Sequence, residues 1–245
     1  MGLSPQQIRA SKGRRALAML TAYDYPTALA LDGAGLDLIL VGDSLGMVEL
    51  GFESTRDVTL AMMCHHIAAA RRGVSRTHLV GDLPADTYRT PAEALATARA
   101  LVKAGADSVK LEGALIPQVR AILDGGIPMM GHVGLLPQTA ERFRKHGVSS
   151  EEYAAILDSA RALDDAGCYA IVIEAVVPGL AEEITAAVRT PTIGIAAGQG
   201  CDGQVLVSTD LIGQLPNPPV FVTPKADVFG TVSAAAAAFV AEVRG

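Results

Sequence analysis

Short, almost uninterrupted apolar runs recur along the chain at near-regular spacing. Each is separated from the next by a stretch with helical amphipathic periodicity. The runs are "LAMLTA" at 17–22, "DLILVGD" at 37–43, "HLVGDL" at 78–83, "DSVKLE" at 107–112, "PMMGHVG" at 128–134, "YAIVIEA" at 169–175 and "PTIGIAA" at 191–197. An eighth is either "QVLVS" at 204–208 or "PVFVT" at 219–223. Strands apolar on nearly every residue are buried on both faces, which is the signature of a parallel sheet covered by helices. "PAEALATARALVKAG" at 91–105 and "SEEYAAILDSARALDDAG" at 150–167 read as two of those helices, each ending in glycine. Seven or eight such units in 245 residues predict a (β/α)₈ TIM barrel, a single domain over 1–245 with a short N-terminal helical segment. A doubly wound open sheet is the competing arrangement. No linker or low-complexity tract interrupts the pattern, and "AAAAAFVAEV" at 234–243 reads as helix.

The polar residues of these strands fall at their C-terminal ends: Asp43, Asp82, Lys110 with Glu112, His132 and Glu174. In "AGADSVKLEGAL" at 104–115, Lys110 and Glu112 lie two apart, so a continuous strand turns both to one face. Burying an ammonium and a carboxylate is costly unless each finds partners. In a parallel barrel all strand C-termini open on one mouth, where such enzymes place their chemistry. Six ionisable residues from five strands therefore converge on one polar pocket.

Asp43, Asp82 and Glu112 form an all-oxygen donor set suited to Mg²⁺; the alternative is that the two aspartates cap the helices after their strands. Lys110 is open to three readings: a partner for Glu112, a cation for a substrate carboxylate or enolate, or a Schiff-base lysine. Glu174 closes an apolar run, where desolvation would raise its pKa toward that of a general base; the alternative is a carboxylate paired to a neighbouring cation. His132 reads as a substrate hydrogen-bonding residue or a satisfied core histidine. His65 and His66 are adjacent on a helix and do not face one ligand.

Composition narrows the classes. A net charge of −6 and 4% aromatic residues disfavour a nucleic-acid surface, and the basic run "RASKGRR" at 9–15 reads as a solvated helix end. Three cysteines with no CxxC spacing give neither a disulfide framework nor a zinc site. No apolar run is long enough to span a bilayer, and "MGLSPQ" lacks an apolar signal region, so a cytoplasmic protein with no membrane partner is expected.

The chain resembles the ketopantoate hydroxymethyltransferase (3-methyl-2-oxobutanoate hydroxymethyltransferase) family, within the phosphoenolpyruvate-binding, isocitrate-lyase-like barrels. The segments that carry the resemblance are "MLTAYDYPTA" at 19–28, "VGDSLGMV" at 41–48, "STRDVTLAMMCHH" at 54–66, "LVGDLP" at 79–84, "VKLEG" at 109–113, "GHVGLLPQ" at 131–138, "PTIGI" at 191–195 and "CDGQVLV" at 201–207. The resemblance implies a Mg²⁺ and keto-acid site at Asp43, Ser44, Asp82, Lys110 and Glu112, with Glu174 as the base. It also implies transfer of a one-carbon unit from 5,10-methylenetetrahydrofolate to the enolate of 3-methyl-2-oxobutanoate, giving 2-dehydropantoate for pantothenate synthesis. A cytoplasmic decamer is implied as well. The chain departs from the family pattern in "AERFRKHGVSS" at 140–150, in "GIAAG" where members carry "GIGAG", in "AVVPGL" after Glu174, and beyond residue 212. These changes support a competing reading as a specialised paralogue, a hydroxymethyltransferase or aldolase acting on a different α-keto acid.

Overall fold

A computed structural model describes residues 2–245; Met1, the first residue of the N-terminal segment, lies outside them. Eight parallel strands close into a barrel in chain order. After a one-turn helix α1 (Pro5–Arg9), the first half of the chain runs β1 (Leu17–Thr21), α2 (Tyr25–Asp32), β2 (Leu38–Val41), α3 (Leu45–Val48), α4 (Leu60–Gly73), β3 (His78–Asp82), α5 (Pro91–Ala104) and β4 (Ser108–Lys110). The second half runs α6 (Ile116–Asp124), β5 (Met129–Gly134), α7 (Ser150–Ala166), β6 (Ala170–Glu174), α8 (Leu180–Ala187), β7 (Thr192–Ile195) and β8 (Gly203–Leu206). Two further helices follow, α9 (Ser208–Leu211) and α10 (Val228–Arg244). The barrel and the predicted strands agree, the eighth strand is the earlier candidate, and 219–223 is not a strand.

Helix boundaries follow local chemistry. Thr90 accepts from Glu93 N while Glu93 returns a bond to Thr90 N, a capping box that starts α5. Ser149 caps α7, and Gly167 ends it in the left-handed conformation.

Side-chain alternation along each strand splits the apolar residues into two clusters. Ile39, Val41, Leu79, Val109, Met129, Ile171 and Ile173 pack outward against the helices, while Leu38, Leu40, Val80, Met130, Ala170 and Val172 fill the barrel interior. Fully burying side chains of this size contributes roughly 1.5–3 kcal/mol each. The same alternation orders the interior along its axis. His78, Ser108 and Tyr169 form a hydrogen-bonded polar layer at the lower end, Nε2 to Oγ at 2.8 Å and Oγ to OH at 2.7 Å. Apolar residues fill the middle, and Asp82, Lys110, His132 and Glu174 occupy the upper end.

The basic run at 9–15 is not a solvated helix end. Arg9 pairs with Asp164 at 3.2 Å, Lys12 with Asp202 at 2.8 Å and Arg15 with Asp37 at 2.6 Å. These acids sit at the N-terminal ends of strands or the C-terminus of a helix, and sequence alone does not reveal that they meet the basic segment.

The chain groups into two compact units, Met1–Val205 and Leu206–Gly245. The second holds α9 and α10, with Asp227 capping α10 through Gly230 N at 2.8 Å.

Candidate active site

The six ionisable residues singled out above gather at the upper end of the barrel, but not all on strands. The strand β4 stops at Lys110, and Glu112 lies two residues beyond it, in the bend leading to α6. It is buried nonetheless, because a backbone N–H from the next loop comes to meet it: Gln138 N donates to Glu112 Oε2 at 3.0 Å. Asp43 likewise follows β2 rather than ending it. Neither Asp43 nor Asp82 caps a helix, since α3 has Ser44 at its N-cap and α5 has Thr90.

Cross-strand register makes the first contact. Asp82 and Lys110 are Cα partners in the β3–β4 ladder, and Lys110 Nζ lies 2.8 Å from Asp82 Oδ1 with both side chains almost fully buried. Lys110 Nζ also approaches His132 Nδ1 at 3.4 Å. An ammonium has only hydrogens to offer, so Nδ1 accepts and the imidazole hydrogen resides on Nε2. That Nε2 faces Glu174 Oε2 at 3.2 Å. A chain Asp82–Lys110–His132–Glu174 thus crosses the barrel mouth. Glu174 is the most open member, its side chain 19% exposed, so it is less desolvated than the sequence suggests. Gly134 places it: a Cβ there would fall 2.2 Å from the Glu174 carbonyl oxygen, at a φ of +96°.

The electrostatics reflect an excess of buried acid. Burial and the neighbouring Asp82 charge push Asp43 up to about 7. Burial raises Glu112 to about 9, with Lys110 opposing and Asp43 and Asp82 adding to the rise. Burial works against the Lys110 ammonium, but Asp82, Glu112 and Asp43 outweigh it and hold its pKa above the ordinary lysine range. Burial and the Lys110 charge lower the pKa of His132, which is therefore neutral. Asp82 Oδ1 and His132 Nε2 are buried without a well-aligned hydrogen bond. Both are held by charge instead, Asp82 Oδ1 by the Lys110 ammonium and His132 Nε2 by the Glu174 carboxylate.

Two residues that the sequence reading did not single out organise this cluster. Gln138 Nε2 donates to Asp43 Oδ2 at 2.7 Å and to Leu83 O at 2.9 Å, while Tyr88 OH donates to Gln138 Oε1. A neutral amide in a loop gives no charge signal; its only mark is its place at the end of "GHVGLLPQ". Ser44 Oγ bonds Tyr23 OH at 2.8 Å, so Ser44 stands beside Asp43 with its hydroxyl already oriented.

The oxygen donors fit a hard divalent cation through Asp43 and Asp82, which Mg²⁺ commonly uses in pairs with water and substrate. The three acids are not drawn to one point. Among the described residues, no three His, Cys, Asp or Glu side chains are arranged to hold an ion. Gln138 bridges Asp43 and Glu112 instead.

Two cavities open on either side of Thr139, one of about 570 Å³ bounded by Gly113, Gly134, Leu136 and Arg142, the other of about 620 Å³ bounded by Arg56, Tyr88, Arg89 and Gln138. The variant segment around 140–149 is held by Glu152, which accepts from Arg144 Nη2 at 2.8 Å, from Gly147 N at 2.9 Å and from Val148 N at 3.2 Å. "GIAAG" has a local consequence: Ala196 adopts φ +50°, in the left-handed region that favours glycine, and Ala175, directly after Glu174, adopts φ +48°.

Among the described residues, no helix is long and apolar enough to cross a membrane. The barrel is similar to 2,3-dimethylmalate lyase, a PEP mutase/isocitrate lyase superfamily member, with a TM-score of 0.66 over 100% of this chain and 86% of that one; at 14% identity the likeness concerns the fold alone. The 3-methyl-2-oxobutanoate hydroxymethyltransferase of Nitratidesulfovibrio vulgaris (strain DP4) is 49% identical over 99% of this chain and 81% of its own length. The protein of the same name from Caldivirga maquilingensis is 50% identical over 96% of this chain and 91% of its own length. Residues 3–245 match the family described as ketopantoate hydroxymethyltransferase. With that match running the length of the described chain and about half of all positions shared with such relatives, the chain belongs to the ketopantoate hydroxymethyltransferase family.

Proposed function

We propose that the protein adds a one-carbon unit from 5,10-methylenetetrahydrofolate to 3-methyl-2-oxobutanoate, giving 2-dehydropantoate, at a site where Asp43 and Asp82 hold Mg²⁺. The observation that carries this reading is the linked chain Asp82–Lys110–His132–Glu174 across the mouth of a barrel whose sequence family is that of the transferase. A bound Mg²⁺ supplies Lewis acidity that makes the keto-acid carbonyl easier to enolise.

The chain's own residues do the rest. Glu174, partly open to the mouth, accepts the C3 proton of the substrate. His132 is neutral and turns its Nε2–H toward Glu174, so the imidazole steadies that carboxylate and the substrate beside it. Lys110, kept cationic by its acidic neighbours, receives the negative charge that develops on the enolate oxygen. Ser44 and Asp43 border the same space and help to orient the keto acid. Glu112 stands beside this site, its Oε2 accepting the Gln138 backbone N–H that holds the loop in place. The cavities beside Thr139 give the folate donor its approach. A cytoplasmic location and a homo-oligomer, a decamer as in the family pattern, belong to the same reading, with no nucleic-acid or membrane partner.

Proton exchange tests the central step. Glu174→Gln keeps the size of the side chain but removes its basicity. Turnover and exchange of the C3 proton of 3-methyl-2-oxobutanoate into D₂O should fall together, by roughly 10²–10⁴-fold. Exchange at the wild-type rate in this variant would move the base elsewhere, with His132 the next group to examine.

A further inference from the structure

Gln138 spends every polar group it has on the acids and on what anchors it. Its backbone N–H takes Glu112 Oε2, and the two hydrogens of Nε2 take Asp43 Oδ2 and Leu83 O. Its Oε1 accepts the Tyr88 hydroxyl, and its carbonyl accepts Arg56 Nε at 2.7 Å. Arg56 Nη2 also donates to Ala140 O at 3.1 Å, so the segment is fastened on both sides of Thr139.

This pattern fixes the amide in one orientation. Turned over, Oε1 would face Asp43 Oδ2 and Leu83 O, three acceptors without a hydrogen among them, and Nε2 would meet the Tyr88 hydroxyl. The orientation in turn decides which oxygen of Asp43 faces a competitor for its lone pairs. Asp43 Oδ2 and Glu112 Oε2 are taken by hydrogen bonds, leaving Asp43 Oδ1 and Glu112 Oε1 with no protein partner among the described residues.

We infer that Gln138 is a positioning residue that occupies one oxygen of the metal-site residue Asp43 and thereby biases the site toward a small divalent cation over Ca²⁺. The inference rests on the metal reading of the site given above. Ca²⁺ fills six to eight oxygen positions and readily takes both oxygens of one carboxylate, whereas Mg²⁺ takes one oxygen from one or two carboxylates and keeps water. A carboxylate with one oxygen held by an amide is a poor donor for the first cation and a sufficient one for the second.

Calorimetric titration of chelator-stripped full-length protein with MgCl₂, MnCl₂ and CaCl₂ tests this directly, with circular dichroism melting as the control for folding. The readout is the ratio of Ca²⁺ to Mg²⁺ affinity, which a general loosening of the fold would leave unmoved. Gln138→Met keeps the length of the side chain and frees Asp43 Oδ2; its ratio should shift toward Ca²⁺ by about tenfold or more. Tyr88→Phe removes only the bond that sets the amide's orientation and should shift the ratio the same way by less. A folded Gln138→Met with the wild-type ratio overturns the inference, whatever happens to overall affinity. If Gln138→Met does not fold, an unchanged ratio in Tyr88→Phe overturns it on its own. Wild-type protein that binds no divalent cation overturns the metal reading and this inference with it, whereas binding with an unmoved ratio removes only the role given to Gln138.

Discussion

The two ends of the barrel use acidic side chains in opposite ways. At the lower end, Asp32 accepts from the backbone N–H groups of Ser75, Arg76 and Thr77 and from the Ser75 hydroxyl. Asp164 accepts from Thr190 and Arg189, and Asp202 from Lys12 and Thr192. Burial works against ionisation at all three, yet these donors outweigh it and hold each pKa below the ordinary carboxylate range. At the upper end burial wins, and Asp43 and Glu112 are pushed upward. The backbone shows the same division. The left-handed turn after α7 is made by Gly167, while Asp86, Ala175 and Ala196, the non-glycine residues at positive φ among the described residues, all follow strands at the upper end. One end is built from satisfied groups and holds the fold. The other keeps acids whose ionisation burial opposes, together with strained backbone, which are what a binding site needs and a scaffold avoids.

The sharpest way to break this contrast is to remove one acid from each end. Asp43→Asn should lower turnover by about 10²-fold or more while leaving the melting temperature in chelator at pH 8 unchanged or higher. A large loss of stability instead would make Asp43 part of the scaffold. Asp32→Ala should do the reverse. It strands three backbone N–H groups, so stability should fall by about 3 kcal/mol, or roughly 6–12 °C in melting temperature, with kcat nearly kept. An Asp32→Ala protein that melts like the wild type would mean that water replaces the carboxylate at no cost.

pH sharpens the same comparison. Folded Asp43 holds its proton up to about 7, whereas an unfolded chain releases it near 3.8. Between those values the folded state binds more protons, so its stability falls as pH rises, and Glu112 extends the decline toward 9. The lower acids have the opposite sign: their contribution is present above the ordinary carboxylate pKa and is lost as pH falls below it. Thermal melts in chelator should therefore show a maximum near pH 4–5 and a decline on the alkaline side. Asp43→Asn should flatten that decline between about 4 and 7. An alkaline limb identical in the variant would remove Asp43 as its source.

The smallest expected effect concerns backbone strain. Ala196→Gly relieves a left-handed alanine, so it should stabilise by up to about 1 kcal/mol, read as a shift of a few degrees in melting temperature. A destabilised variant would show that the unfolded-state entropy of glycine exceeds the strain.

What was legible in the sequence divides along the same axis. The barrel was readable because buried parallel strands are apolar on both faces and their helices end at glycine, as at Gly105 and Gly167. The upper acids were readable because charge inside an apolar run is conspicuous. Glu112 was misplaced by extending the strand two residues too far, since a buried bend has the same composition as a buried strand. Gln138 and Tyr88 escaped notice because neutral side chains carry no charge signal. The lower acids escaped it too: Asp37 and Asp107 look like ordinary turn residues, and nothing local says that Arg15 or Arg71 will reach them, at 2.6 and 3.0 Å.

The basic segment at the lower end bears on the order in which the protein can be assembled. Arg15 reaches Asp37 only 22 residues on, but the other two partners are far away along the chain, 155 residues from Arg9 to Asp164 and 190 from Lys12 to Asp202. A ribosome adding 5–20 residues per second needs about 10–40 s to bridge the longer gap. Through that interval β1 lacks its neighbour on one side, and Arg9 and Lys12 keep the segment charged and hydrated. Those charges make an exposed apolar strand edge less prone to pair with another nascent chain. On this view the Arg9 and Lys12 ion pairs form late, and the same two cations guard the seam until they can.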